Sequence, residues 1–141
     1  RQLLDIKSGD PDTYVRVTRQ PLQPTLDYAR RLSDLGRPLW VRFVLVPGLT
    51  DAWDNVEKLA DICAGLSSLQ RVEILRFHQL GREKWHRLGV AYPLEHTPTP
   101  DAELVERVRS QFPARGQTVN CAGRLRTVFA NGPPTLPGPS A

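Results

Sequence analysis

Leu39-Trp-Val-Arg-Phe-Val-Leu-Val46 is apolar at every position but Arg42, and Pro47-Gly48 closes it. Such a run lacks the alternation of a strand with one wet face. It marks a strand buried on both faces, as in a parallel sheet. Parallel neighbours cannot be joined by a tight turn. They need long crossovers, usually helical. The flanking segments must therefore supply helices.

They have the right pattern. Thr25 is placed to cap a helix whose apolar face is Leu26, Ala29, Leu32 and Leu35, with Gly36 as the stop. Thr50 is placed to cap a second, with Asp51 and Asp54 in the first turn, where the helix dipole favours acids. Val56, Leu59, Ala60, Cys63 and Leu66 form its stripe. Thr99-Pro100 opens a third, lined by Leu104, Val105, Val108 and Phe112. Leu3–Ile6 and Val72–Phe77 read as further strands, the first turning at Lys7-Ser8-Gly9-Asp10-Pro11. Residues 81–97 read as a long loop, and 117–120 as the start of a last strand.

This alternation predicts an α/β fold with a parallel sheet: a partial (βα) barrel fragment of about three βα units. The strands are too few for a closed barrel of eight, so at least one sheet edge is left raw. Residues 1–120 are expected to form this unit. Residues 121–141, ending in a Pro/Gly-rich stretch, are expected to be a disordered tail. The chain has no Met and opens directly on a strand-like run, so it is expected to be cut rather than begun there.

Composition excludes several classes of function. The net charge is +4, but the arginines are spread along the chain among acids rather than gathered in a stripe. That argues against nucleic-acid binding. No stretch approaches the roughly 20 apolar residues of a membrane span, and the N-terminus has no signal-peptide layout. The two cysteines, Cys63 and Cys121, form no C-x-x-C pair, so no zinc or disulfide framework is signalled. The cytoplasm is the expected compartment.

Ligands of α/β sheets bind at the C-terminal strand ends. Asp5, Lys7, Arg42 and His78 fall at or near those ends. Asp5 and Lys7, two apart, share a face. They are either the two halves of a polar-ligand site or a local ion pair. Arg42 interrupts an apolar strand, and a guanidinium taken out of water needs a partner. That partner is either an internal acid or a bound carboxylate or phosphate. His78 is either a ligand contact or structural, and His86 and His96 have no spacing that makes them metal ligands. Trp85 lies among basic residues in the loop, a mixture common at binding surfaces.

Leu4-Asp5-Ile6-Lys7, Trp40-Val-Arg42-Phe-Val-Leu-Val-Pro47-Gly48 and Phe77-His78-Gln-Leu-Gly81 follow one another in order. Lys84-Trp85, Leu88-Gly89 and Tyr92-x-Leu94 come after them. Together they resemble the C-terminal half of the pyruvate formate-lyase activating enzymes, radical-SAM activators of glycyl-radical enzymes, over about residues 1 to 119. The resemblance implies an open α/β barrel that uses S-adenosylmethionine and a 4Fe-4S cluster to make a glycyl radical on a partner such as pyruvate formate-lyase. It implies a flavodoxin- or ferredoxin-type electron donor. By position, Asp5, Lys7, Arg42 and His78 look like cofactor-binding residues, with Asp5 also a candidate cation ligand. Lys84, Trp85 and Tyr92 look like partner-binding residues. The cluster's Cys-x-x-x-Cys-x-x-Cys loop is absent, so the cluster ligands are expected in an N-terminal half and the fragment alone is expected to be inactive. Arg76 stands where the family usually has Pro. The alternatives are a non-catalytic module that docks on a glycyl-radical protein, or a phosphate-binding barrel fragment.

Overall fold

The computed structural model describes residues 2–78 and 96–112, and the backbone of 119–122. Strands β1 (Gln2–Asp5), β2 (Leu39–Leu45), β3 (Leu69–Arg76) and β4 (Val119–Ala122) form one sheet in the order β1-β2-β3-β4. Every pairing is parallel. Helices α1 (Pro11–Thr18) and α2 (Gln23–Asp34) connect β1 to β2, α3 (Trp53–Ala64) connects β2 to β3, and α4 (Ala102–Ser110) precedes β4.

Strand order and chain order coincide, and the core shows which way the sheet is wound. Leu39, Val41, Phe43 and Leu45 of β2, with Val72 and Ile74 of β3, lie in one apolar cluster. The same cluster takes Tyr14 of α1, Ala29 and Leu32 of α2, Val56, Leu59, Ala60 and Cys63 of α3, and Val105 and Val108 of α4. All four helices therefore cover one face of the sheet, as in a barrel segment, and the expected fold class is borne out. The other face carries Trp40, Arg42 and Val44, the alternate residues of β2.

Several element boundaries differ from the sequence expectation, for local reasons. α1 was not anticipated. Asp10 caps it by accepting from the Thr13 N–H at 3.0 Å, and Pro11 opens it. Thr25 is no cap: α2 begins at Gln23, and the Thr25 hydroxyl meets that of Tyr14 at 2.8 Å. Gly36 does stop α2 with φ +68. Arg37 and Gly36 donate back to Leu32 and Ser33, a paired C-terminal cap. Leu35, past the helix end, is 63% exposed rather than part of the face.

Thr50 caps nothing either. Its hydroxyl donates to the Val44 carbonyl and accepts from the Val46 N–H, while α3 starts after Ala52. For α4 the cap is Asp101, accepting from the Leu104 N–H at 2.8 Å, so Pro100 lies outside it. The last strand spans Val119–Ala122, two residues later than expected. The rest of the proline-rich tail and nearly all of the 81–97 loop lie outside the described residues. Among the described residues, no helix is long and apolar enough to cross a membrane.

Candidate functional site

The register builds the site. β1 ends at Asp5, which lies beside Arg42, in the middle of β2 rather than at its end. Arg42 in turn lies beside Glu73, and Glu73 beside position 120 of β4. Asp5, Arg42 and Glu73 thus make one row of charged residues on β1, β2 and β3, on the face away from the helices. Leu3, Trp40 and Arg71 form the row beneath it.

Arg42 and Asp5 meet fork to fork. The Arg42 Nε donates to Asp5 Oδ1 at 2.8 Å and Nη2 donates to Oδ2 at 3.1 Å. The guanidinium is thus paired with an internal acid. It is less deeply buried than the apolar run implied, with 36% of its side chain exposed. This pairing leaves the Arg42 Nη1 donors uncommitted among the described residues. Lys7 stands on the same side, with Nζ 4.0 Å from Asp5 Oδ2. Between them Ile6 turns to the helix side and is fully buried. The expectation that Asp5 and Lys7 share a face is met.

Burial pushes the Lys7 ammonium below the ordinary lysine value. Asp5 pulls it back up and the Arg42 charge lowers it further. A lysine in this setting sheds hydration readily and gains from an incoming anion. One row down, Arg71 stacks over the Trp40 ring at 4.7 Å and its Nε lies 3.5 Å from Glu73 Oε1. That nitrogen is buried and the approach falls short of a hydrogen bond.

His78 follows the end of β3 and is half-buried. Lys84, Trp85 and Tyr92 lie outside the described residues. No group of three or more His, Cys, Asp or Glu residues that could hold a metal occurs among the described residues. Cys63 is packed in the core, its thiol pushed up to about 12 by burial, which is the reverse of a metal-ready thiolate. With Cys121 as the one other cysteine of the chain, these 141 residues do not fit a four-iron cluster.

The sequence reading missed Asn55, which is 2% exposed in the first turn of α3. Its side chain accepts from Ser8 Oγ and from the Gly9 and Asp10 N–H groups, and donates to the Thr50 carbonyl. The signal available was a polar residue beside the apolar stripe, facing a Ser-Gly-Asp turn.

The pyruvate formate-lyase-activating enzymes of Staphylococcus aureus strains USA300 and NCTC 8325 are each 46% identical to this chain over 104 residues. By sequence, this chain is a relative of the pyruvate formate-lyase-activating enzymes. The match covers 74% of this chain and 41% of theirs, so the chain spans about two fifths of the length of these relatives. No protein-family model matches. The fold is shared with a crystallised domain of the pyruvate-formate lyase-activating enzyme from Bacteroides vulgatus, at TM-score 0.69 and 20% identity, covering 86% of this chain and 66% of that domain. It is shared also with a radical SAM methyltransferase from Sphaerobacter thermophilus, at TM-score 0.66 and 20% identity, covering 86% of this chain and 33% of the methyltransferase.

Proposed function

We propose that this chain supplies the part of a glycyl-radical-enzyme activase that grips S-adenosylmethionine, the assembled enzyme acting on pyruvate formate-lyase. The observation that carries this reading is the set Asp5, Lys7 and Arg42, brought onto one face where β1 ends. The methionine end of the cofactor is a zwitterion. Lys7 and the remaining Arg42 donors suit its carboxylate, and the Asp5 carboxylate suits a donor such as its ammonium or a ribose hydroxyl. His78, just past the end of β3, two strands from β1, is a further contact. Asp5 is also the residue that would face a cation.

S-adenosylmethionine, with a reduced 4Fe-4S cluster, supplies the hydrogen-abstracting chemistry. The thiolates that hold that cluster come from outside these 141 residues, as does the electron, delivered by a flavodoxin- or ferredoxin-type donor. This chain's own residues bind, orient and desolvate the cofactor, and by itself the chain does no redox chemistry. Lys84, Trp85 and Tyr92 belong to the face that meets the glycyl-radical protein. A bare phosphate is the poorer ligand, because Asp5 stands between the two cations and repels a dianion.

The test is calorimetric titration of the chain with S-adenosylmethionine and, separately, with inorganic phosphate. S-adenosylmethionine is expected to bind. Arg42→Ala should weaken it by about 2 kcal/mol, roughly 30-fold, the low end of the range for truncating a paired charge because Arg42 is partly exposed. An unchanged affinity in Arg42→Ala would make the Asp5–Arg42 fork a structural ion pair. Phosphate binding without S-adenosylmethionine binding would replace the reading with the phosphate one.

A further inference from the structure

We infer that Asn55 is a positioning residue for this site, locking the loop that carries Lys7 to the loop that follows β2. Asn55 Oδ1 accepts from Ser8 Oγ at 2.5 Å and from the N–H groups of Gly9 and Asp10, both at 2.9 Å. Its Nδ2 donates to the Thr50 carbonyl at 2.8 Å. A flipped amide would set donor against donor on one side and oxygen against oxygen on the other, so these partners fix its orientation. Thr50 is held in turn by Val44 and Val46 at the end of β2. One buried amide therefore joins the C-terminal ends of the two strands that present Asp5, Lys7 and Arg42.

The fit of the loop is tight. Gly9 lies on the α3 backbone so closely that a Cβ there would fall 2.1 Å from the Leu59 nitrogen and 2.6 Å from its Cα. Ser8 is fully buried, and its hydroxyl oxygen also accepts from the Asp10 N–H at 3.1 Å. Lys7 is the residue directly before this anchor. Its backbone therefore has little freedom to slide along the β2 rim, which fixes where the side chain that reaches to 4.0 Å from Asp5 begins. A site for a ligand with separated charges needs such fixed spacing, since a misplacement of about 1 Å weakens every polar contact at once.

The ligand half of this inference rests on the function proposed above, while the clamp on Lys7 does not, and the experiment separates them. The full 141-residue chain is compared with Asn55→Ala, Asn55→Asp and Val108→Ala by nuclear magnetic resonance and by titration with S-adenosylmethionine. Asn55→Ala is expected to move the side-chain carbon resonance of Lys7, to speed amide exchange at Gly9 and Asp10, and to weaken S-adenosylmethionine about tenfold. Asn55→Asp, which keeps the acceptor for Ser8, Gly9 and Asp10 but sets an oxygen against the Thr50 carbonyl, is expected to retain part of the exchange protection at Gly9 and Asp10 and still to weaken S-adenosylmethionine. Val108→Ala, a core truncation on α4, should lower the melting temperature and leave Lys7 and the affinity alone. Should Asn55→Ala not fold, Ser8→Ala makes the same test with a smaller change. A Lys7 resonance unmoved in a folded Asn55 or Ser8 variant, or moved equally by Val108→Ala, overturns the clamp. If the unmodified chain does not bind S-adenosylmethionine, the proposed function falls, and a Lys7 shift confined to the Asn55 and Ser8 variants still upholds the clamp.

Discussion

The two faces of β2 come from alternate residues of one short strand, yet they do opposite work. On the helix side Leu39, Val41, Phe43 and Leu45 are all fully buried in the apolar core. On the other side Trp40 and Arg42 join Asp5, Glu73 and Arg71 in a set of paired and stacked charges. The first face is filled to make the fold. The second spends strand positions on groups that contribute little to stability, because half-exposed ion pairs are worth roughly 0–1 kcal/mol. Little of the fold's stability therefore depends on this charged face.

The contrast can be broken at several points. Phe43→Ala should destabilise the chain by about 3–5 kcal/mol, measured by urea unfolding, whereas Arg42→Ala should cost less than about 1 kcal/mol. Comparable losses from both would mean that the charged face is structural too.

Titration should separate the faces next. Cys63, on the helix side, has its pKa raised from 9.0 to about 12 by burial. Its contribution is fully present below the unfolded value and is lost as pH climbs towards the folded one, by about 1.4 kcal/mol per pH unit. Lys7 works in the opposite direction. Its folded value is depressed below 10.5, so the unfolded chain holds the proton longer and this contribution grows as pH approaches that value. Unfolding between pH ~8 and ~11 should therefore show a steeper alkaline loss in the unmodified chain than in Cys63→Ala. Parallel curves would show that the thiol is not held neutral in the core.

The smallest expected effect concerns Asp10, on the loop between the faces. Its carboxylate is held below the usual 3.8, first by the hydrogen bond from Lys58 and then by that from the Thr13 N–H. That stability is present above the ordinary value and is lost as pH falls through the depressed one. Asp10→Ala should cost about 1 kcal/mol at neutral pH, and the difference in melting temperature should shrink in acid. A difference independent of pH would point to loop conformation rather than charge.

The parallel sheet was legible because β2 lacks alternation and the helices follow apolar stripes that need no tertiary information; its strand order was not read from the sequence. The meeting of Asp5, Lys7 and Arg42 was legible only in part. Residue type nominated them, but the register that sets the end of β1 beside the middle of β2 depends on the whole sheet. Caps were read least well. Thr25 and Thr50 had the right chemistry, but their hydroxyls found Tyr14 and the end of β2. Asn55 was hard to find because three of its four partners lie 45 or more residues away in the chain.

The stagger of the strands gives the rim of the sheet a stair. β1 leaves the sheet level with Arg42, while β2 continues through Phe43, Val44 and Leu45, a riser of about 10 Å at ~3.3 Å per residue. The tread of that stair carries Arg42, with Lys7 at its near edge. The step is thus set by the relative lengths of two strands, and lengthening β1 by a pair of residues after Asp5 would level it and carry Lys7 away from Asp5.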